Sequence, residues 1–220
     1  MKMKVENNLF TIEKAVDKPS AETIKSSFEG ERILLASTSP RRKKVLELLG
    51  LDFDVYKPRI DETPPAGVLP SDYAEAMAVK KVKNALENDV NNRVIIGADT
   101  VVILGERILG KPADEAEAAK MLRSLRGKEH IVITAVAMNI KKAGKVIFSH
   151  ESTRVLFKRF TDEHLYEYID SGEPLDKAGS YGIQGMGSVL VEKINGELDN
   201  VIGFPLNCLA KMLLSQGYGR

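Results

Sequence analysis

The stretch Val94-Ile95-Ile96-Gly97-Ala98-Asp99-Thr100-Val101-Val102-Ile103-Leu104 decides how this chain is read. Val94 to Ile96 is a short apolar run of the kind that forms a buried strand, and the apolar character resumes at Val101. One carboxylate, Asp99, stands inside it. An ionised carboxylate is costly to bury unless it is paired or holds a metal. Gly97 lets another backbone or a ligand approach closely. Asp99 is therefore a candidate general base or metal ligand. The plain alternative is a strand end where Asp99 only caps local backbone.

Outward from that strand, further elements alternate. Arg32 to Ser37 reads as a buried strand. Ser39-Pro40 is a helix start, with an apolar face at Val45, Leu46, Leu48 and Leu49 and a stop at Gly50. Leu51 to Tyr56 reads as a strand. Pro58 to Pro70 holds four of the nine prolines and is a loop. Ser71 opens a helix to about Glu87. Asp114 and Glu117 have the spacing of a capping box before a helix with Ala118, Met121, Leu122 and Leu125 on one side. Residues 131–140 and 146–157 read as long strands joined by a turn at 142–144. Thr161 caps a helix to Ser171, 188–194 reads as a strand, and Pro205 opens the last helix. The order predicts an α/β protein with a mixed twisted sheet flanked by helices. Residues 1–30 are polar without clear periodicity and read as an N-terminal extension, with a short helix near Ala21–Phe28. The domain proper is 31–220.

Composition narrows the classes. The chain has 220 residues and a net charge of +1. Non-specific binding of duplex nucleic acid would call for a more basic chain. One cysteine excludes an intrachain disulfide and a cysteine-based zinc site, and three scattered histidines argue against a histidine-rich metal site. No apolar run approaches the ~20 residues of a membrane span. The N-terminus lacks the apolar core of a signal peptide, so a cytoplasmic protein is expected.

Four further features bear on chemistry. Ser37-Thr38-Ser39-Pro40-Arg41-Arg42 puts two arginines, followed by Lys43 and Lys44, at a helix N-terminus. Cations are unfavourable there, and a bound anion would resolve the conflict. A polyphosphate suits the forked donors of two arginines. The alternative is a solvated basic face. Asp61-Glu62 in the proline-rich loop could supply a second carboxylate to a Mg²⁺ site. Lys81, Lys111 and Lys177 could each neutralise phosphate, although any one lysine among 32 basic residues is more often at the surface. The Gly-rich run Lys177 to Gly187 carries Gln184, whose amide could read a base edge. It is not a P-loop, and a simple connector is the plainer reading. His130, His150 and Cys208 read as structural.

Taken together these segments resemble the Maf family of nucleoside triphosphate pyrophosphatases. The resemblance covers residues from about 32 to 216. It rests on Ala36–Arg42, Asp61-Glu62, Lys81, Gly97–Val102, Gly110-Lys111-Pro112, His130–Thr134, Asp176–Gly179, Tyr181–Gly185 and Asn200–Leu206 in this order and spacing. It implies a Maf/ITPase-like fold of two lobes with an active-site cleft between them, often in a homodimer. It also implies hydrolysis of a nucleoside triphosphate to the monophosphate and pyrophosphate with a divalent metal ion, Mg²⁺ or Mn²⁺. Asp99 matches the proton acceptor, and Glu62, Lys81 and Lys111 match residues of the same cleft. Ser37, Arg41 and Arg42 would hold the triphosphate, and Glu62 with Asp99 the metal. Arg41, Thr100 and Gln184 match the marks of the branch that prefers dTTP and UTP. Val82 replaces a usual alanine, and nothing carries over to the extension, which is expected to be dispensable. The alternatives are another base (CTP, 7-methyl-GTP or an inosine-type nucleotide) or a nucleotide-binding regulator of septum formation and cell division. Neither nucleic acid nor membrane is an expected partner.

Overall fold

Residues 94–104 form one unbroken strand, and the sheet is assembled on it. The computed structural model describes residues 11–88, 94–140 and 144–218. In chain order the elements are α1 (Ile12–Ala15), α2 (Lys18–Ser27), β1 (Ile33–Leu35), α3 (Pro40–Leu48), β2 (Phe53–Val55), α4 (Pro70–Leu86), β3 (Val94–Leu104) and β4 (Arg107–Leu109). Then follow α5 (Glu115–Leu125), β5 (Glu129–Ile140), β6 (Lys145–Phe157), α6 (Asp162–Asp170), β7 (Val191–Asn195), α7 (Leu198–Ile202) and α8 (Leu206–Ser215). The seven-stranded sheet runs β2-β1-β3-β5-β6-β7, with β4 also paired to β3. β1 is parallel to β2 and β3, and the other pairs are antiparallel, so the sheet is mixed as expected.

Period-two alternation along β3 sorts its side chains between two cores. Ile95, Val101 and Ile103 pack with Ala74, Met77 and Ala78 of α4. Val94, Ile96, Ala98 and Val102 join the larger core on the opposite face, under α2, α3, α5, α6 and α8. The same alternation sends Asp99 to the α4 side and Thr100 to the other. β5 pairs with β3 from Ile96 to Ile103. The second edge of β3 is shared: β1 takes Val94–Ile96, and β4 takes Val102–Leu104. Among the described residues no strand covers that edge from 97 to 101. The gap is where the cleft opens, beyond the carboxyl end of β1, a place where α/β sheets commonly bind ligands.

Local signals mostly act as expected. Asp114 accepts from Glu117 N–H at 2.8 Å, while the Glu117 carboxylate accepts from Ala113 N–H at 2.7 Å. Thr161 caps α6 by accepting from His164 N–H. Three readings need correction. The strand expected from Ser188 begins at Val191, because Gly185–Leu190 winds into a 3-10 turn. The short helix α7 was not expected at all. The short helix expected near Ala21–Phe28 is present as α2, but it does not stand apart from the domain as an extension: Ala21, Ile24 and Phe28 face one way, are buried, and join the main core, with α2 packed on α8. Of the expected turn 142–144, residues 142 and 143 lie outside the described residues, as does 1–10. No described helix is long and apolar enough to cross a membrane.

His130 is buried between Phe157 and Tyr181, with Nε2 2.8 Å from the Tyr181 hydroxyl. Burial pushes its pKa down from 6.5 to about 4. The unfolded chain therefore binds the proton more readily. The stability that neutral His130 contributes is complete above pH 6.5 and is lost as pH falls towards 4. The full loss is about 3 kcal/mol. Urea unfolding of wild type and His130→Gln should show their difference shrinking by that amount between pH 7 and 4. A difference independent of pH would contradict this.

Candidate active site

The cleft is built where several chain segments, among them 36–42, 57–62, α4 and 176–183, meet the open edge of β3. It encloses about 400 Å³. Six basic side chains (Arg41, Arg42, Lys57, Lys81, Lys111 and Lys177) and three acidic ones (Glu62, Asp99 and Asp176) line it. Such an excess of positive charge in a concave site attracts polyanions.

Asp99 and Lys81 face each other because Gly97 lets α4 lie close to β3. A Cβ on Gly97 would stand 3.0 Å from Val82 Cγ2 and 3.1 Å from the Ala78 carbonyl. The close approach foreseen at Gly97 is thus made by helix backbone. Val82 fills that contact and is fully buried. Lys81 Nζ lies 2.5 Å from Asp99 Oδ1 and 2.8 Å from Glu62 Oε1. Lys80, its neighbour, points to solvent. Lys111 Nζ is 3.7 Å from Glu62 Oε2. Burial pushes the Glu62 carboxyl up, but Lys81, Lys111 and Arg42 outweigh it, and the group lies below the usual carboxylate range. The Tyr73 hydroxyl donates to the Glu62 carbonyl and so ties the proline-rich loop to α4. Burial and the nearby carboxylates of Asp99, Glu62 and Asp61 raise that phenol to about 12. Asp61 itself is exposed and accepts from Thr63 N–H at 2.9 Å.

The two arginines differ. Arg42 is buried, and its fork is largely occupied: Nε donates to the Gly203 carbonyl at 2.8 Å, Nη1 to Ser37 Oγ at 3.1 Å and Nη2 to Thr100 Oγ1 at 3.1 Å. Burial lowers its pKa to about 10, so it stays charged at neutral pH. It presents charge to the cleft with few donors to spare. Arg41 donates through Nε to the Ile202 carbonyl at 3.3 Å. Burial lowers its pKa, against the pull of Asp176, Tyr168 and Glu173. Ser39 precedes α3 but its side chain makes no cap; Ser37 Oγ instead accepts from Ser39 N–H at 3.2 Å.

Sequence reading assigned no role to the groups behind this arrangement. Asn200 is fully buried in α7. Its Nδ2 donates to the Val132 carbonyl and to Thr153 Oγ1, both at 2.9 Å, and its Oδ1 accepts from Thr134 N–H at 2.9 Å. Thr134 Oγ1 in turn sits 3.0 Å from Thr100 Oγ1, the acceptor for Arg42. Asp199 accepts from the N–H groups of Asn200 and Leu206, both at 2.6 Å, and closes the turn that presents the Gly203 carbonyl. Only the long range of these contacts hid them.

The Gly-rich segment serves mainly itself. Glu173 accepts from Tyr168 O–H at 3.1 Å and from Met186 N–H at 3.0 Å. A Cβ on Gly187 would lie 2.2 Å from the Gly182 carbonyl, so only glycine fits. Lys177 is held by the Glu173 carbonyl and Asp176 Oδ1, at 2.5 and 2.6 Å. Gly182 and Ile183 line the cleft, whereas Gln184, expected to bind substrate, does not. Ser37, Arg41, Arg42, Glu62, Lys81, Asp99, Thr100 and Lys111 all do.

Among the described residues no group of three or more His, Cys, Asp or Glu side chains comes together. A protein-only metal cage is therefore not formed by them. A nucleotide-borne Mg²⁺ needs only one or two carboxylates, because phosphates and water supply the rest. Glu62 and Asp99, both on one ammonium, fit that requirement.

The sequence model of the Maf-like protein family matches residues 32–216. The chain is 44% identical to a dTTP/UTP pyrophosphatase of Pelotomaculum thermopropionicum over 188 residues, covering 86% of this chain and 98% of that one. It is 46% identical to a dTTP/UTP pyrophosphatase of Bacillus cereus, covering 84% and 91%. Among solved structures, the Staphylococcus aureus Ham1 protein superimposes with a TM-score of 0.51 at 14% identity, covering 84% of this chain and all of that one. That likeness is one of fold alone.

Proposed function

We propose, from the premise that this chain belongs to the Maf-like protein family, that it is a nucleoside triphosphate pyrophosphatase acting on dTTP and UTP. The observation that carries the reading is the carboxylate pair Asp99–Glu62, joined by Lys81, at the open edge of β3 in a basic cleft. A protein that only bound polyanions, such as a nucleotide-sensing regulator, would have no use for two carboxylates there.

The triphosphate lies across Arg41 and the N-terminal turn of α3, with Arg42 adding charge from below. Asp99 accepts a proton from water as the water oxygen bonds to the α-phosphorus. The bond from that phosphorus to the bridging oxygen breaks, and pyrophosphate leaves with the electron pair. Lys81 and Lys111 stabilise charge on the transferring and leaving groups. Glu62 and Asp99 would hold a divalent ion, Mg²⁺ or Mn²⁺, whose charge offsets that of the phosphates. Positioning and electrostatics supply most of the catalysis in phosphoryl transfer, and the same is taken to hold here. Ser37 and Thr100 act through Arg42, whose guanidinium they hold. Gln184 adjoins the cleft through Ile183 and offers an amide for the uracil or thymine edge. A cytoplasmic enzyme, paired as a homodimer, accords with the resemblance.

A panel of nucleoside triphosphates with Mg²⁺ tests the base preference. UTP and dTTP should exceed ATP and GTP in kcat/KM by about tenfold or more, since a site built for one hydrogen-bonding edge rejects another. Gln184→Ala should narrow the gap. ATP or GTP as the best substrate would overturn the reading.

A further inference from the structure

Lys81 stands at an unusual point. Its ammonium is the common partner of both acidic groups at the cleft's centre, at 2.5 Å from Asp99 and 2.8 Å from Glu62. Its side chain is only 10% exposed and that of Asp99 13%, so water screens this contact poorly. The stem leaves α4 where the helix is pressed on Gly97, with Val82 fully buried beside it, so its origin is fixed. One positive centre touching two carboxylate oxygens does what a divalent cation does at such a pair. The two cannot both do it. A divalent ion on those oxygens would lie within a few ångströms of the ammonium, and like charges so close in a half-buried site repel strongly. Lys111, 3.7 Å from Glu62 and 61% exposed, is free to swing into solvent, whereas the Lys81 stem is anchored on α4 and its ammonium can shift only locally, to a new anionic partner within the cleft.

We infer that Lys81 is an internal counter-ion that keeps the Glu62–Asp99 pair closed to free divalent ions, so that the metal enters only with the nucleotide. The incoming triphosphate offers the ammonium a new anionic partner and releases the carboxylates to the metal it carries. This rests on the reading of Glu62 and Asp99 as the metal-holding pair. It makes binding ordered and keeps the site neutralised between turnovers.

The test is titration of Mn²⁺ alone into nucleotide-free protein, with free Mn²⁺ read by electron paramagnetic resonance. Wild type should bind only with a Kd above about 1 mM. Lys81→Met, which keeps the stem and removes the charge, should bind at least about tenfold tighter. Adding Asp99→Asn to that variant should abolish the gain. Circular dichroism checks folding, and Lys81→Gln replaces Lys81→Met if the apolar end is not tolerated. Equal or weaker binding by the folded variant overturns the inference. So does stoichiometric binding of free Mn²⁺ by wild type below 1 mM, which needs no variant. The pyrophosphatase reading is scored separately, on the products wild type releases from UTP. It survives if Lys81→Met fails to gain Mn²⁺ while UTP is still cleaved.

Discussion

Replacing Asp99 by asparagine leaves the protein folded and lowers kcat for UTP by about a thousandfold or more, ~4 kcal/mol in the barrier. The change is close to isosteric. The backbone of residue 99 stays paired with Ala135 of β5, and Lys81 keeps Glu62 as its partner. The fold therefore has little to lose. The proposed reaction loses its proton acceptor, because an amide cannot take a proton from water. Steady-state release of pyrophosphate, together with a melting curve, reads both effects. Activity within about tenfold of wild type, ~1.4 kcal/mol or less, would remove Asp99 from its role.

A chain starting at Gly30, which lacks α1 and α2, should melt at least about 10 °C below the full chain, because roughly 5 kcal/mol of packing goes with the deleted helices. This reverses the expectation from sequence that the extension is dispensable. Ile24 is fully buried and Phe28 is 2% exposed, and burying each such side chain is worth about 1.5–3 kcal/mol. Their removal also uncovers the apolar face of α8, where Leu209 and Leu213 are buried. Total stability of a domain is only about 5–15 kcal/mol, so the loss is a large share of it. No residue of α1 or α2 lines the cleft, so turnover measured well below the melting point should remain near that of wild type. Ile24→Ala alone should cost about 2–5 kcal/mol in urea unfolding. A truncated chain that melts within about 2 °C of the full one would contradict this packing argument.

Why this segment misled the reading is physical. Lys18-Pro-Ser-Ala-Glu-Thr-Ile-Lys-Ser-Ser27 has two residues, Ala21 and Ile24, to show as apolar, with Phe28 just beyond. Its burial depends on α8, far along the chain, which no local pattern reveals. By contrast, β3 and its long or apolar partners β1 and β5 were legible, since apolar runs and alternation are local, whereas the three-residue β4 was not. Asp99 and the Arg41-Arg42 turn were legible because each breaks a local rule, one a charge in an apolar run and the other a cation at a helix N-terminus. Lys81 and Lys111 had no such signal: an amphipathic helix or a loop displays lysines whether or not they meet a carboxylate, so the residues alone only grouped them with Lys177 as possible partners of phosphate, and the family resemblance placed them in the cleft. The glycines of 179–187 signalled close packing but not its partner, which is Val102 of β3 for Gly179 and the segment around Glu173 and Tyr168 for Gly182, Gly185 and Gly187. Asn200, whose bonds reach Val132, Thr134 and Thr153, was invisible for the same reason as α2.

In the proposed reaction the water oxygen bonds to the α-phosphorus and not to the β- or γ-phosphorus. Hydrolysis of UTP with Mg²⁺ in ¹⁸O-labelled water tests it most directly, with products resolved by mass spectrometry. The expected products are UMP and pyrophosphate in equal amounts, with one labelled oxygen in UMP and none in pyrophosphate. Label in pyrophosphate, or UDP and orthophosphate as the first products, would contradict it.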